Sequence, residues 1–296
     1  MICFDIGGSR VRAGRWDGAT ISPLGEAPTP ADDYFALRST LAQFVVLGGP
    51  GPVAMSLAGG VDPASGRLRS ANIACLNGRV VADDIAAALG RKVHVTNDAD
   101  CFTLAEATLG VGRGQDVVLG IILGTGVGGG LVVANRLVRG AGGYAGEWGH
   151  GPVVPDRALG RDLNLPVCGC GQRGCVETIG GARGLERLHL ALSGERLRSQ
   201  DIVARWRAGP CGASRSVELW LQLLSGPLAL AVNLTGAGVV AVGGGLSGAV
   251  DLIAALDHVV RQKILRPSAE PVLRCGALGE MSGLIGAALS ALADTR

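Results

Sequence analysis

One pattern occurs twice along this chain of 296 residues, and it constrains the fold more than anything else in the sequence. The first copy opens the chain. Met1-Ile2-Cys3-Phe4-Asp5-Ile6 reads as a buried strand, Gly7-Gly8 turns the backbone, and Ser9 to Arg15 reads as the returning strand of a hairpin. The second copy begins at Asp116, with Val117 to Leu123 as a strand, Gly124-Thr125-Gly126 as the turn, and Gly130 to Ala134 as the return. Such a duplication predicts two domains of related architecture facing each other.

The rest of the chain alternates strands with helices. Strands are expected at 52–58, 92–96 and 239–242. Helices are expected at 84–89, at 99–109, at 217–233 with a kink at Gly226-Pro227, at 249–264 and at 281–293. Alternation of this kind gives an α/β fold. The boundary is set near residue 115, with one domain at 1–115 and the other at 116–280. A helix at 281–296 is expected to pack back on the first domain.

Composition narrows the class. Hydrophobic residues make up 48% and aromatics only 3%, so a sizeable core is expected to consist of Leu, Val, Ile and Ala. A net charge of +2 without a basic run gives no electrostatic case for nucleic acid. No apolar stretch is read as approaching the roughly 20 residues of a membrane span. Eight cysteines with no secretory leader point to a reducing compartment, so a cytoplasmic protein is expected.

Three glycine turns follow strands: Asp5-Ile6-Gly7-Gly8-Ser9, Gly124-Thr125-Gly126-Val127-Gly128-Gly129-Gly130 and Gly243-Gly244-Gly245. Backbone N–H groups without side chains around them can approach phosphate oxygens, and Ser9 and Thr125 add hydroxyl donors. None is a P-loop, because no Gly-Lys-Ser/Thr follows. Gly124, Gly126 and Gly129 form a Gly-x-Gly-x-x-Gly string, but it leads into a strand rather than a helix, which argues against a dinucleotide site. Any one cluster is as well explained by a tight turn; the three together favour a nucleotide. Asp5 either caps its turn or organises a hydrated Mg²⁺ bridging phosphates. Asn97-Asp98 stands at a strand-to-helix junction. It is a helix cap, a carboxylate base for phosphoryl transfer, or both.

The stretch from Glu147 to Glu177 carries a complete tetrahedral zinc ligand set: His150, Cys168, Cys170 and Cys175. Gly169, Gly171 and Gly174 allow the tight turns needed to wrap one ion, and a carboxylate flanks the set at each end. The imidazole nitrogen left free by zinc needs a partner, for which a substrate hydroxyl is one candidate. Trp148 reads as packing under this loop. Cys3, Cys75, Cys101, Cys211 and Cys275 read as ordinary buried residues, and His94, His189 and His258 belong to no visible constellation.

Together these motifs resemble the ROK family of bacterial sugar kinases over essentially the whole chain. The resemblance implies a two-domain actin/hexokinase-like (ribonuclease H-like) ATPase fold with a zinc-bound loop. It also implies phosphorylation of a hexose by ATP with Mg²⁺. Asp5, Gly7, Gly8, Ser9 and Arg10 would form the first phosphate motif, Gly124, Thr125, Gly126, Gly128 and Gly129 the second, and Gly244 and Gly245 the adenosine-side loop. Asp98 would be the general base; Asn97, Glu147, His150 and Glu177 would take the other sugar hydroxyls, and domain closure would exclude water. Ser9-Arg10 replaces the commoner Thr-Lys, and Asp100 replaces Asn. Within the family the chain is most similar to N-acetylglucosamine kinases, through Ser70-Ala71-Asn72-Ile73 and Ile122 to Leu131. Gly59 and Asn72 are expected at the sugar, where Ala58-Gly59-Gly60 either leaves room for an acetamido group or simply turns the chain. Glucose, fructose and N-acetylmannosamine remain alternatives, as does a non-catalytic sugar-binding regulator. Proteins resembling this one are commonly homodimers.

Overall fold

The computed structural model describes residues 1–62, 65–70 and 72–294. Ala71 of the Ser70 to Ile73 string and residues 295 and 296 of the expected last helix lie outside the described residues. The chain divides into two compact units, one of residues 1–109, 135–145 and 278–296, the other of 110–134 and 146–277. This division breaks at 109/110 rather than near 115, and it assigns 135–145 to the first unit.

The first unit is built on a sheet of β1 (Ile2–Ile6), β2 (Arg10–Trp16), β3 (Ile21–Pro28), β4 (Val53–Leu57) and β7 (Val93–Asn97), in the order β3-β2-β1-β4-β7. β1 pairs antiparallel with β2 and parallel with β4, and β4 pairs parallel with β7. Side chains alternate across it. Ile2, Phe4 and Ile6 face a core with Leu37, Leu41 and Val45 of α1 (Tyr34–Gly48) and Ile85 of α2 (Val81–Leu89). On the other face Cys3 and Ala54 pack with Cys101 of α3 (Asp98–Thr108) and with Leu284, Ala287 and Ala288 of α9 (Ser282–Ala293). That alternation decides where Asp5 goes: in register with Ser56, on the α3 and α9 face. The short strands β5 (Gly60–Val61), β6 (Leu68–Arg69) and β10 (Arg136–Leu137) complete the unit.

The second unit repeats the plan. β8 (Val117–Leu123) pairs antiparallel with β9 (Val127–Val133) and parallel with β13 (Val239–Gly243), which pairs parallel with β14 (Leu273–Cys275). A hairpin is followed by two parallel strands, as in the first unit. Around the sheet lie α4 (Glu177–Gly180), α5 (Ala182–Ser193), α6 (Ser199–Arg207), α7 (Gly212–Thr235) and α8 (Val250–Arg261), with a small ribbon of β11 (Arg157–Ala158) and β12 (Arg161–Asp162). Trp220, Leu224 and Leu228 of α7 are fully buried in this unit's core.

Some of these expectations need correction. The return of the second hairpin starts at Val127, not Gly130, so Gly128 and Gly129 belong to a strand and only Gly124 to Gly126 form the turn. α7 is assigned as one helix that contains Pro227, with Leu224 and Leu228 buried on either side of it. At 24 residues α7 is also long and apolar enough to cross a bilayer, contrary to the reading that no such stretch exists, although it packs against α5, α6 and α8. Cys211 is exposed at the start of α7 rather than buried.

Candidate functional site

In the first unit the predicted residues gather around the ends of β1, β4 and β7. The Gly7 to Arg10 turn is closed by the Gly7 N–H donating to the Arg10 carbonyl at 3.0 Å. The Thr29 hydroxyl donates to the Gly7 carbonyl at 2.7 Å. Gly8 lies against Asn72: a Cβ on Gly8 would come within 2.8 Å of the Asn72 Cβ. The Ser70 hydroxyl donates to the Ala58 carbonyl at 2.6 Å, tying the Ala58 to Gly60 loop to the segment bearing Asn72. Asn97 works in two directions. Its Nδ2 donates to the Gly59 carbonyl at 2.9 Å, while its Oδ1 accepts the Ala99 and Asp100 N–H groups and caps α3. Asp98, in the first turn of α3, accepts the Ala99 N–H at 3.0 Å.

Asp5 stands apart from that loop cluster, on the α9 face. The Ser56 hydroxyl donates to its Oδ1 at 2.8 Å, and Arg12 lies 3.7 Å from its Oδ2. Burial pushes the Asp5 carboxyl up from the ordinary range, against the pull of Ser56 and Arg12. Gly283 of α9 is what makes the fit possible, since a Cβ there would fall on the Asp5 carboxylate. With 21% of its side chain exposed, the Asp5 carboxylate still offers the hard oxygen donor that a hydrated Mg²⁺ takes. Arg10 does not join it; its guanidinium is exposed and pairs with Glu26 at 2.7 Å.

In the second unit Glu177 is central. It begins α4, two residues after Cys175, and its Oε2 accepts the Val127 N–H at 2.7 Å. Gly126 is required there, because any Cβ would collide with the same carboxylate. The Gly128-Gly129 strand lies under Trp148, whose Nε1 donates to the Gly128 carbonyl at 3.0 Å. A Cβ on Gly129 would collide with the Gly146 carbonyl and Trp148, which gives a packing reason for a glycine in this strand. Gly244 has φ +84° and lies against the backbone of Leu123 and Gly124, which brings the third glycine turn beside the second.

The donor atoms of His150, Cys168, Cys170 and Cys175 all lie within 4.8 Å of one another. His150 Nδ1 is 3.5 Å from Cys168 Sγ, and Cys170 Sγ is 3.6 Å from Cys175 Sγ. Four ligands at Zn–S distances of about 2.3 Å put neighbouring sulfurs about 3.8 Å apart, so the residues fit a tetrahedral zinc ion. The backbone N–H of Gln172 draws the Cys170 thiol down to about 7, while burial pushes Cys168 up to about 12. The other imidazole nitrogen, Nε2, faces Glu147 Oε2 at 3.5 Å. Burial pushes the Glu147 carboxyl up, and His150 partly opposes that.

Sequence reading missed Ser56, Arg12, Gly283 and the Val127 N–H. Only the first had a usable signal: strand periodicity puts Ser56 on the same face as Ala54.

The ROK family profile matches residues 1–294. The N-acetylgalactosamine kinase AgaK of Shewanella sp. (strain ANA-3) is 37% identical over 294 residues, covering 96% of this chain and 94% of its own. The N-acetyl-D-glucosamine kinase of Pasteurella multocida is 34% identical over 295 residues, covering 96% and 97%. Among solved structures, the ROK hexokinase from Thermus thermophilus superimposes with a TM-score of 0.87 at 30% identity, covering 100% of this chain and 98% of that one.

Proposed function

Because the chain belongs to the ROK family, we propose that it is an ATP-dependent sugar kinase that phosphorylates the 6-hydroxyl of N-acetyl-D-glucosamine. The observation that carries this reading is Glu177. One carboxylate is bonded to the Gly124 to Val127 turn and is covalently two residues from the zinc knot. A phosphate-type turn and a hydroxyl-binding carboxylate are thereby one bonded unit.

In this mechanism Asp98 accepts the proton of the primary hydroxyl as it attacks the γ-phosphorus. Asp98 stands at the start of α3, directly after β7, where such a base would meet the sugar. Asn97, Glu147, His150 and Glu177 take the remaining hydroxyls. The Gly7 to Ser9 and Gly124 to Gly126 turns offer backbone N–H groups to the phosphates, with Ser9 and Thr125 hydroxyls beside them. Asp5 would hold a hydrated Mg²⁺, which when bound would supply charge neutralisation for the transferring phosphoryl group. His150, Cys168, Cys170 and Cys175 would hold a zinc ion with a structural role, since the protein offers all four ligands.

N-acetyl-D-galactosamine is the second reading, favoured by the name of the 37% identical Shewanella relative. The two sugars differ only in the orientation of the 4-hydroxyl. The test is ADP release with Mg-ATP across N-acetylglucosamine, N-acetylgalactosamine, N-acetylmannosamine, glucose and fructose. N-acetylglucosamine is expected to give the highest kcat/KM. A higher value with N-acetylgalactosamine moves the assignment to that sugar. No release with any sugar, while one of them still raises the melting temperature, replaces the kinase with a sugar sensor.

A further inference from the structure

A cavity of about 570 Å³ opens in the first unit, away from Asp98, between the end of α3, the 135–139 segment and the last turns of α9. Its volume is within the range of small-molecule sites. Leu104, Leu137 and Leu289 form apolar wall, and Asn135, Arg136 and Arg139 bring donors to the rim. Arg136 makes no ion pair among the described residues. Arg139 shares Asp294 at 3.1 Å, and Asp294 lies 3.4 Å from His94 Nδ1. Among the described residues Asp294 is the only carboxylate of the lining, against the two guanidiniums of Arg136 and Arg139.

His94, which sequence reading left without a role, continues the chain of contacts. Its Nε2 is 3.0 Å from the Thr96 hydroxyl and 3.1 Å from that of Ser290, which also lines the cavity. Thr96 lies on β7, which ends at Asn97, and Asp98 opens α3 directly after it. The cavity is therefore linked through Asp294, His94 and Thr96 to the strand that leads into the proposed base.

We propose that this cavity binds a phosphate dianion carried by a small organic molecule, with Arg136 and Arg139 on the phosphate and the leucines against its organic part. Two guanidiniums and an amide line the same cavity, and the planar guanidinium fork donates two N–H bonds to phosphate oxygens. An incoming phosphate takes Arg139 from Asp294, and the His94 contacts pass that change to Thr96. The inference stands apart from the sugar-kinase reading, because binding is measured without turnover.

Isothermal titration tests it on the full chain with N-acetylglucosamine 6-phosphate, glycerol 3-phosphate and inorganic phosphate. Each titration is repeated with a saturating non-hydrolysable ATP analogue and N-acetylglucosamine, which fill the site of the proposed reaction. Binding is expected to persist under those conditions and to weaken at least tenfold in Arg136→Gln/Arg139→Gln, with the fold checked by circular dichroism. Equal affinity for inorganic phosphate and the esters identifies free phosphate as the source; tighter ester binding identifies an organic ligand. Binding that is lost on filling the reaction site, or that is the same in the double variant, overturns the proposal.

Discussion

The backbone N–H of Val127 donates to Glu177 Oε2 at 2.7 Å, so the turn after β8 and the carboxylate at the start of α4 hold each other in place. The bond spans 50 residues, and Gly126, having no Cβ, leaves the room that the Glu177 carboxylate occupies. A change on either partner is expected to be felt by both ligands.

Gly126→Ala puts a methyl group where the Glu177 carboxylate now sits. Steady-state kinetics should show kcat/KM falling at least tenfold, about 1.4 kcal/mol, for sugar and for ATP alike. A change confined to ATP would separate the turn from the sugar site and contradict the bond's importance.

Asp98→Asn keeps the size of the side chain and removes its basicity. Turnover should drop by roughly 10²–10⁴ while the sugar affinity, read by thermal shift, changes little. Turnover near that of the wild type removes Asp98 from the role of base.

Cys170→Ser removes one of four donors that lie within 4.8 Å of each other. Elemental analysis should find one zinc per chain in the wild type and a substoichiometric amount in the variant, with a raised KM for sugar. Metal binding needs deprotonated thiols, so zinc should also be released as the pH is lowered. A wild-type protein purified without zinc, yet fully active, discards the metal knot.

Asp5 offers a pH test with a definite sign. Burial raises its folded-state pKa above the ordinary value, so between the two values the native state holds more proton than the unfolded chain. Stability from this group is therefore greatest below the unfolded pKa of about 3.9 and is lost as pH rises through the folded value. Asp5→Asn should flatten that part of the stability profile and leave the melting temperature at pH 7 equal or higher, while Mg-dependent turnover is lost. A lower melting temperature at pH 7 means that Arg12 and Ser56 outweigh the burial cost.

Short-range features were legible in the sequence, and long-range ones were not. The zinc ligands could be read because three of them lie within eight residues, Cys168 to Cys175. The two hairpins could be read because glycine after an apolar run is a local event. Ser56 beside Asp5 depends on a parallel strand register between segments some 50 residues apart, and Gly283 beside Asp5 on a helix still farther away. The start of β9 at Val127 was hidden by its glycines, which look like turn residues until Trp148 is seen packed on them.

The position of α9 sets an order on synthesis. Gly286 approaches the Cys101 carbonyl so closely that no side chain fits between α9 and α3, and α9 covers one face of the first sheet. On the ribosome β1 to α3 emerge first, yet their apolar face stays uncovered until α9 has been made. The second unit, nearly continuous in sequence, can close sooner. The half of the molecule that is translated first is the half that finishes last, and a nascent chain stalled before residue 278 would expose that face to chaperones.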